Sequence, residues 1–219
     1  MTPDASVVLE RLQRFIGDID PATAKGRKRA AILAAASERF VAKGYRETSM
    51  DEIAAAVGVA KGTLYLYFPK KIDLLIACSA KEKLELMPMV MALFQPGLSA
   101  EQRLKQWIIM LLTWPGRAPL NSKLVEGDFA EVMADLPPEL VAENTALQGE
   151  LIAPLVDEVA GHHRWSPVEI GDRVTVLSAL GMLGPMLRHD WIGAKIAPDR
   201  FATLIADLII EGLRPRPAP

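Results

Sequence analysis

One cysteine, Cys78, is all that the 219 residues contain, so no internal disulfide can form and no cysteine pair can hold a structural zinc. That poverty fits a reducing compartment. Histidine is almost as scarce: His162 and His163 are neighbours, and His189 is distant. Adjacent positions on a helix point about 100° apart and cannot easily share an ion, so no metal site is expected. The first 20 residues include Asp4, Glu10, Arg11 and Arg14 and lack the unbroken apolar stretch of an export signal. The apolar run Val174 to Leu187 has 14 residues between Arg173 and Arg188, short of the roughly 20 that a membrane-spanning helix needs. It reads as a buried helix, and the chain as cytoplasmic with no membrane partner. A glycine-rich phosphate loop, a nucleophile with a base nearby and a metal-ligand set are all missing, which argues against an enzyme and against a cofactor. Asp157 and Glu158, neighbours on a helix, face different ways and read as a solvated pair.

What is present is a folded composition, half apolar and 24% charged. The net charge of −2 hides a division along the chain. Residues 25 to 71 carry ten Lys or Arg against four Asp or Glu, a net of +6, whereas residues 1 to 24 carry −2 and residues 72 to 219 carry −6. A basic module attached to an acidic body suggests one part that meets a polyanion and another with a different task.

Nearly every long segment shows helical spacing, and none shows the sustained alternation of a half-buried strand, so the fold is read as all-α. Val8, Leu12, Phe15 and Ile19 form the stripe of an opening helix, residues 3 to 19, ended by Asp20-Pro21. It reads as an accessory helix packed on the body, with an extra DNA or dimer contact as the sharper alternative. The next helix starts after Gly26, buries Ile32, Ala36 and Phe40, and closes at Gly44. Ser49 and Glu52 make a capping box at the head of a two-turn helix with Met50, Ile53, Ala54 and Val57 on one face. Gly58 breaks that helix, and Val59 to Tyr65 resumes as a second short one. Beyond Lys71 the helices lengthen: 72 to about 86, kinked or ended by Pro88; a helix capped by Ser99 and Gln102, to Trp114; a weaker one over 122 to 134; 138 to about 159; one opened by Ser166-Pro167, to about 190; and 198 to about 213.

Two short helices joined by a glycine turn, preceded by a stabilising helix and set in the basic module, make a helix-turn-helix. Its second short helix would enter the major groove of DNA. Lys61 brings charge, Gly62 close backbone approach, Thr63 a hydroxyl and a methyl, and Tyr65 a hydroxyl on a stacking ring. Leu64 and Phe68 read as core of this small unit, and Arg39, Lys43 and Arg46 as solvated surface.

The run Gly26 to Leu75, above all Thr48-Ser49-Met50-Asp51-Glu52-Ile53-Ala54, Gly58-Val59, Lys61-Gly62-Thr63-Leu64-Tyr65, Tyr67-Phe68 and Lys71, resembles the DNA-binding domain of the tetracycline-repressor (TetR) family of bacterial transcription regulators. The resemblance implies that Thr48 binds phosphate, that Lys61, Gly62, Thr63 and Tyr65 face bases and backbone, and that Tyr67 and Lys71 hold phosphate. Arg27, Lys28 and Arg29 lie where the family has a basic arm. The position between the two tyrosines, commonly aromatic or histidine there, is Leu66 here; Ile72 replaces a common acid, whose role Asp73 is placed to take.

The expected organisation is therefore an accessory helix over residues 1–24, a three-helix helix-turn-helix domain over 25–71, and a helical ligand-binding and dimerisation domain over 72–219. Met87, Met91, Trp107, Met110, Trp114, Phe129, Met133, Met182 and Met186 are candidates to line an effector pocket. Few charged residues lie near them, which points to an apolar or aromatic effector. Leu177, Leu180, Gly184, Leu187, Leu204, Ile205 and Leu208 lie on two greasy helices that exceed what one subunit buries, so they are candidates for a homodimer interface. The reading is a homodimeric repressor on a palindromic operator, released when a small effector alters the dimer through the kinked helix 72 to 94. A helical enzyme and a sequence-indifferent DNA-packaging protein are the rivals.

Overall fold

The computed structural model describes residues 5–93, 97–162, 164–182 and 196–215, and among these every regular element is helical. In chain order they are α1 (Ala5–Ile16), α2 (Ala24–Lys43), α3 (Met50–Ala56), α4 (Lys61–Tyr67), α5 (Lys71–Ala92), α6 (Ala100–Thr113), α7 (Pro119–Lys123), α8 (Phe129–Asp135), α9 (Pro138–Ala160), α10 (Pro167–Ala179) and α11 (Pro198–Leu213). The expected continuation of α10 to residue 190 lies outside the described residues.

Local chemistry explains the starts. Thr23 caps α2 by accepting the Gly26 N–H at 2.8 Å. Reciprocal capping boxes head α3 (Ser49 with Glu52), α6 (Ser99 with Gln102) and α10 (Ser166 with Glu169), each satisfying two backbone donors that a helix start leaves without partners. Several boundaries differ from expectation, among them α2, which begins at Ala24 and not after Gly26, and α4, which spans Lys61–Tyr67 and not 59 to 65. α1 stops at Ile16 because Gly17, at φ +69°, takes the left-handed conformation and returns its N–H to Gln13. Pro88 lies inside α5 and does not end it. The segment expected as one helix over 122 to 134 is α7 and α8 joined by a π-turn, Leu124–Asp128.

Two compact units emerge. The first takes the described residues up to Pro88 together with Ala118–Leu136; the second takes Met89–Arg117 and the described residues from Pro137 onward. The boundary by packing thus falls at Pro88, not at Lys71. The cause is the first half of α5: Ile72, Leu74, Leu75, Ala77 and Cys78 are buried in the same core as Ile32, Leu33, Phe40, Ile53, Leu64 and Phe68. α1 also joins this core through Ile16, so the accessory helix is seated on the first unit. Cys78 is buried, and burial pushes its thiol up to about 12, which suits packing and removes the thiolate a redox sensor needs.

In the second unit α6 packs on α9 and α11, and α9 on α10. Leu104, Ile108, Ile152, Val156, Ala202, Ala206 and Ile210 make its core. Arg214 to Glu101 and Lys105 to Asp207 are surface ion pairs between α6 and the C-terminal segment, each worth little in water. No described helix is long and apolar enough to cross a membrane.

Candidate nucleic-acid interface

Three helices of the first unit build the site. α2 supplies the platform, and α3 and α4 pack together beside it. Gly58 adopts φ +65° in the turn between them, a conformation that L side chains seldom take. α4 is anchored from below by Leu64 and Phe68, both buried. That leaves Lys61, Gly62, Tyr65 and Leu66 exposed, with Thr63 and Tyr67 half-buried at the flanks.

Within this frame the basic and polar candidates divide. Lys61 is exposed but not idle: its ammonium contacts the Asp51 carboxylate at 2.8 Å, which holds the lysine above its ordinary pKa through that hydrogen bond. A phosphate arriving at Lys61 exchanges one anion for another. Gly62 has open space where a Cβ would stand, so its bareness serves nothing inside the chain. Lys28 is exposed on α2, and Arg27 is exposed while donating to the carbonyls of Pro21 and Ala22.

Three expected phosphate contacts are turned inward. Thr48 is 1% exposed, and its hydroxyl donates to the Gly44 carbonyl at 2.7 Å. Lys71 donates to the carbonyls of Tyr45 (2.8 Å), Arg46 (3.3 Å) and Thr48 (3.1 Å), and its ammonium lies 4.3 Å from the centre of the Tyr45 ring. An ammonium has three protons to donate, and three carbonyls take them. Lys71 is thus a clasp on the loop between α2 and α3, not an open phosphate clamp. Arg29 donates to the carbonyls of Ile16 and Tyr67 and stacks 4.3 Å from the centre of the Phe68 ring. Desolvation holds its pKa below the ordinary arginine value. It ties α1 and the end of α4 together, and so does not belong to a free basic arm.

Tyr45 escaped the sequence reading altogether. It is buried, its N–H donates to Asp128 and its hydroxyl to Asp135, both at 2.6 Å, and desolvation first, then Asp135, raises its pKa. Glu82 similarly accepts the N–H groups of Leu120 and Asn121, capping α7. Asp73 accepts the Lys70 N–H at the head of α5.

The family model described as "Bacterial regulatory proteins, tetR family" matches residues 32–78, the span that holds α3, the glycine turn and α4. Over that span the chain is similar to the tetR family. Two relatives match the same kind of segment: the HTH-type transcriptional activator FasR of Mycolicibacterium smegmatis (strain ATCC 700084 / mc(2)155), 48% identical over 50 residues that make up 23% of each chain, and a fatty acid metabolism regulator protein of Bacillus subtilis (strain 168), 45% identical over 53 residues, 24% of this chain and 27% of that one. The matches span about a quarter of those relatives' length. A TetR-like transcriptional regulator from Rhodococcus sp. RHA1 is similar over 85% of this chain and 95% of its own, at 27% identity and TM-score 0.56. The fatty acid degradation regulator FadR from Bacillus halodurans shares the fold at 21% identity and TM-score 0.64, over 89% of this chain and all of that one. The segment matched is thus similar to that of DNA-binding transcription regulators, a family that is regulatory and not enzymatic.

The pocket and dimer candidates are distributed as follows. Met87, Phe129 and Met133 belong to the first unit, the latter two exposed on α8; Met91, Trp107, Met110 and Trp114 belong to the second. The Met182 side chain and Met186 lie outside the described residues, as do Gly184 and Leu187. Leu177 is buried in its own unit's core, which corrects its placement on a dimer face; the neighbouring Val176 is the exposed residue, at 67%. Leu208 is equally exposed, and Leu180, Leu204 and Ile205 are half-buried.

Proposed function

We propose that this regulator is a homodimeric repressor that holds a palindromic operator through two copies of α4 and releases it on binding a small, largely apolar effector. One observation carries the reading: within the basic module, α4 buries Leu64 and Phe68 and turns Lys61, Gly62, Tyr65 and Leu66 outward together. Lys61, Thr63, Tyr65 and Tyr67 then meet bases and backbone, with Lys28 and Arg27 on the phosphates. Lys71, Arg29 and Thr48 act behind them, fixing the loop and the helix ends that set where α4 stands.

Dimerisation is assigned to the outward faces of α10 and α11, where Val176 and Leu208 stand in water in the single chain. Burying an exposed valine or leucine contributes about 1.5–3 kcal/mol each, and a twofold axis doubles every contact. For the effector, the supporting observation is in the second unit: the Trp114 indole N–H and the Ser178 hydroxyl are buried with no hydrogen-bond partner among the described residues. An otherwise apolar ligand with one oxygen-bearing end satisfies such groups. The fatty-acid processes named for two relatives make a long-chain acyl compound the first choice.

The test is binding to duplexes covering the DNA upstream of the chain's own gene and its neighbours, at fixed salt, with random DNA of equal length as control. Tight saturable binding at one palindrome, weakened by a long-chain fatty acid, is expected. Equal affinity for random DNA sinks the repressor reading, and binding strengthened by the fatty acid makes the protein an effector-dependent binder instead.

A further inference from the structure

Leu66 is 85% exposed, beside Tyr65 at 39% on the same helix. At about 100° per residue, the mean direction of the two buried anchors, Leu64 and Phe68, lies opposite Leu66. The leucine therefore stands at the crest of the outward face of α4. One turn earlier Gly62 presents no side chain, and nothing stands within 4 Å of where its Cβ would be, so no neighbour holds the crest away from an approaching surface.

We propose that Leu66 reads thymine, by packing against C5-methyl groups on the floor of the major groove. The proposal rests on the DNA-binding reading of α4 and adds a sequence preference to it. The argument is one of matching chemistry. Every base edge in the major groove presents hydrogen-bonding atoms, and the thymine methyl is the apolar feature among them. An aliphatic side chain pressed on a guanine or cytosine edge strips water from donors and acceptors and returns nothing; on a thymine methyl it buries apolar surface against apolar surface. Lys61 and Tyr65 on the same face provide the polar contacts that Leu66 cannot, so the helix as a whole reads a mixed sequence with thymine under its centre.

The experiment starts from an operator that the wild-type protein itself enriches from random duplex DNA. Each thymine in the half-site is then replaced by uracil, which deletes the methyl and keeps the pairing, and affinity is measured at fixed salt for the wild type, Leu66→Ala and Leu66→Met. One or two positions per half-site are expected to lose about threefold to tenfold in wild-type affinity on methyl removal. Leu66→Ala is expected to bind the thymine operator that much more weakly and to be indifferent to uracil, while Leu66→Met keeps the dependence. Because the side chain is exposed, the alanine variant folds as the wild type does, checked by its thermal transition. A wild type that binds the all-uracil operator as tightly as the thymine one overturns the proposal, as does an alanine variant with an undiminished uracil penalty. Failure to enrich any sequence overturns the regulator reading and this proposal with it, so the two failures are distinct.

Discussion

The two units differ in how far charged side chains deal with buried polarity. In the first, charged side chains reach across long stretches of sequence to close off backbone groups: Lys71 takes three carbonyls of the α2–α3 loop, Arg29 ties Ile16 to Tyr67, Glu82 caps α7, and Asp128 receives the Tyr45 N–H. In the second, one charged side chain does the same, Arg164 donating to the carbonyls of Leu213 and Arg214, but the helices otherwise meet through mostly aliphatic side chains, the ion pairs lie on the surface, and Arg103 Nε, Trp114 Nε1 and Ser178 Oγ are buried with no partner among the described residues. Directed hydrogen bonds to ionised groups fix one geometry, whereas apolar contacts are satisfied by many. A helix that must match the spacing of base edges needs the first kind of construction. The uptake of a small molecule proposed for the body is served by the second.

The sharpest test of this contrast is Lys71→Met, which keeps the length of the side chain and removes its protons. Three carbonyls lose a charged donor, and a cost of about 2–4 kcal/mol in unfolding free energy is expected by urea denaturation. DNA affinity falls with it because the α2–α3 loop loosens. A variant with unchanged stability and weakened DNA binding would return Lys71 to the role of phosphate clamp and break the comparison at its strongest point.

That Lys71 needed the structure is instructive. Capping boxes are legible because partner and cap are three residues apart: the box read at Ser49 is formed, and the helix starts read at Ser99 and Ser166 are boxes as well. The burial of Leu64 and Phe68 was equally readable, since their four-residue spacing places them on one side of α4. A lysine or arginine in a basic module, however, has the same sequence appearance whether it faces phosphate or a carbonyl far along the chain. Lys71 reaches back 26 residues to Tyr45, and Arg29 forward 38 to Tyr67. At one position of the expected dimer face the reading was off by a single helical step: Leu177 points into its own core and Val176 points out. Apolar pattern alone does not tell a packed core from a pocket wall.

A matched pair of cap deletions sharpens the contrast at lower amplitude. Ser49→Ala and Ser166→Ala each remove the side-chain acceptor of a capping box, one box in each unit, and each is expected to cost about 1 kcal/mol of stability. Only Ser49→Ala is expected to weaken DNA binding as well, because α3 carries the turn that aims α4. The partner carboxylates give the pair a pH signature. Glu52, chiefly through Lys43, and Glu169, chiefly through the Ser166 backbone, are held below the usual glutamate value of 4.5. A depressed carboxylate contributes in full above that value and is lost as pH falls through its lower folded value. The difference between wild type and Glu52→Gln or Glu169→Gln, which remove the titrating group itself, should therefore shrink in acid unfolding curves below pH 4.5. A gap that persists unchanged there would mean that the boxes contribute nothing through charge.

In the second unit the sign of a polar deletion is expected to reverse. Ser178→Ala removes a buried hydroxyl that has no partner among the described residues and replaces it with a better helix former. A gain of about 0.5–1 kcal/mol is expected. Response to the effector should weaken, since the hydroxyl is proposed to meet the ligand's polar end. A loss of stability would show that the hydroxyl has a partner in the folded protein, and the two units would then differ less than their described contacts suggest.

The faintest effect is also the most discriminating, because it sets folding against function at one atom. Gly62 sits inside α4 with an ordinary helical backbone and open space at its missing Cβ. Nothing within the chain needs a glycine there, and glycine costs a helix interior roughly 0.5–1 kcal/mol relative to alanine. Gly62→Ala is therefore expected to raise stability by about that amount in thermal or urea unfolding. If the outward face of α4 is the surface that closes on DNA, the same methyl occupies the space through which the backbone approaches, and affinity should fall about tenfold, equivalent to about 1.4 kcal/mol of binding free energy. A variant that is both more stable and equally tight would remove Gly62 from the interface. A variant that is less stable would mean that the free helix does not tolerate what its open surroundings allow. Gain in folding with loss in binding is the outcome that assigns the bare face of α4 to a partner outside the chain.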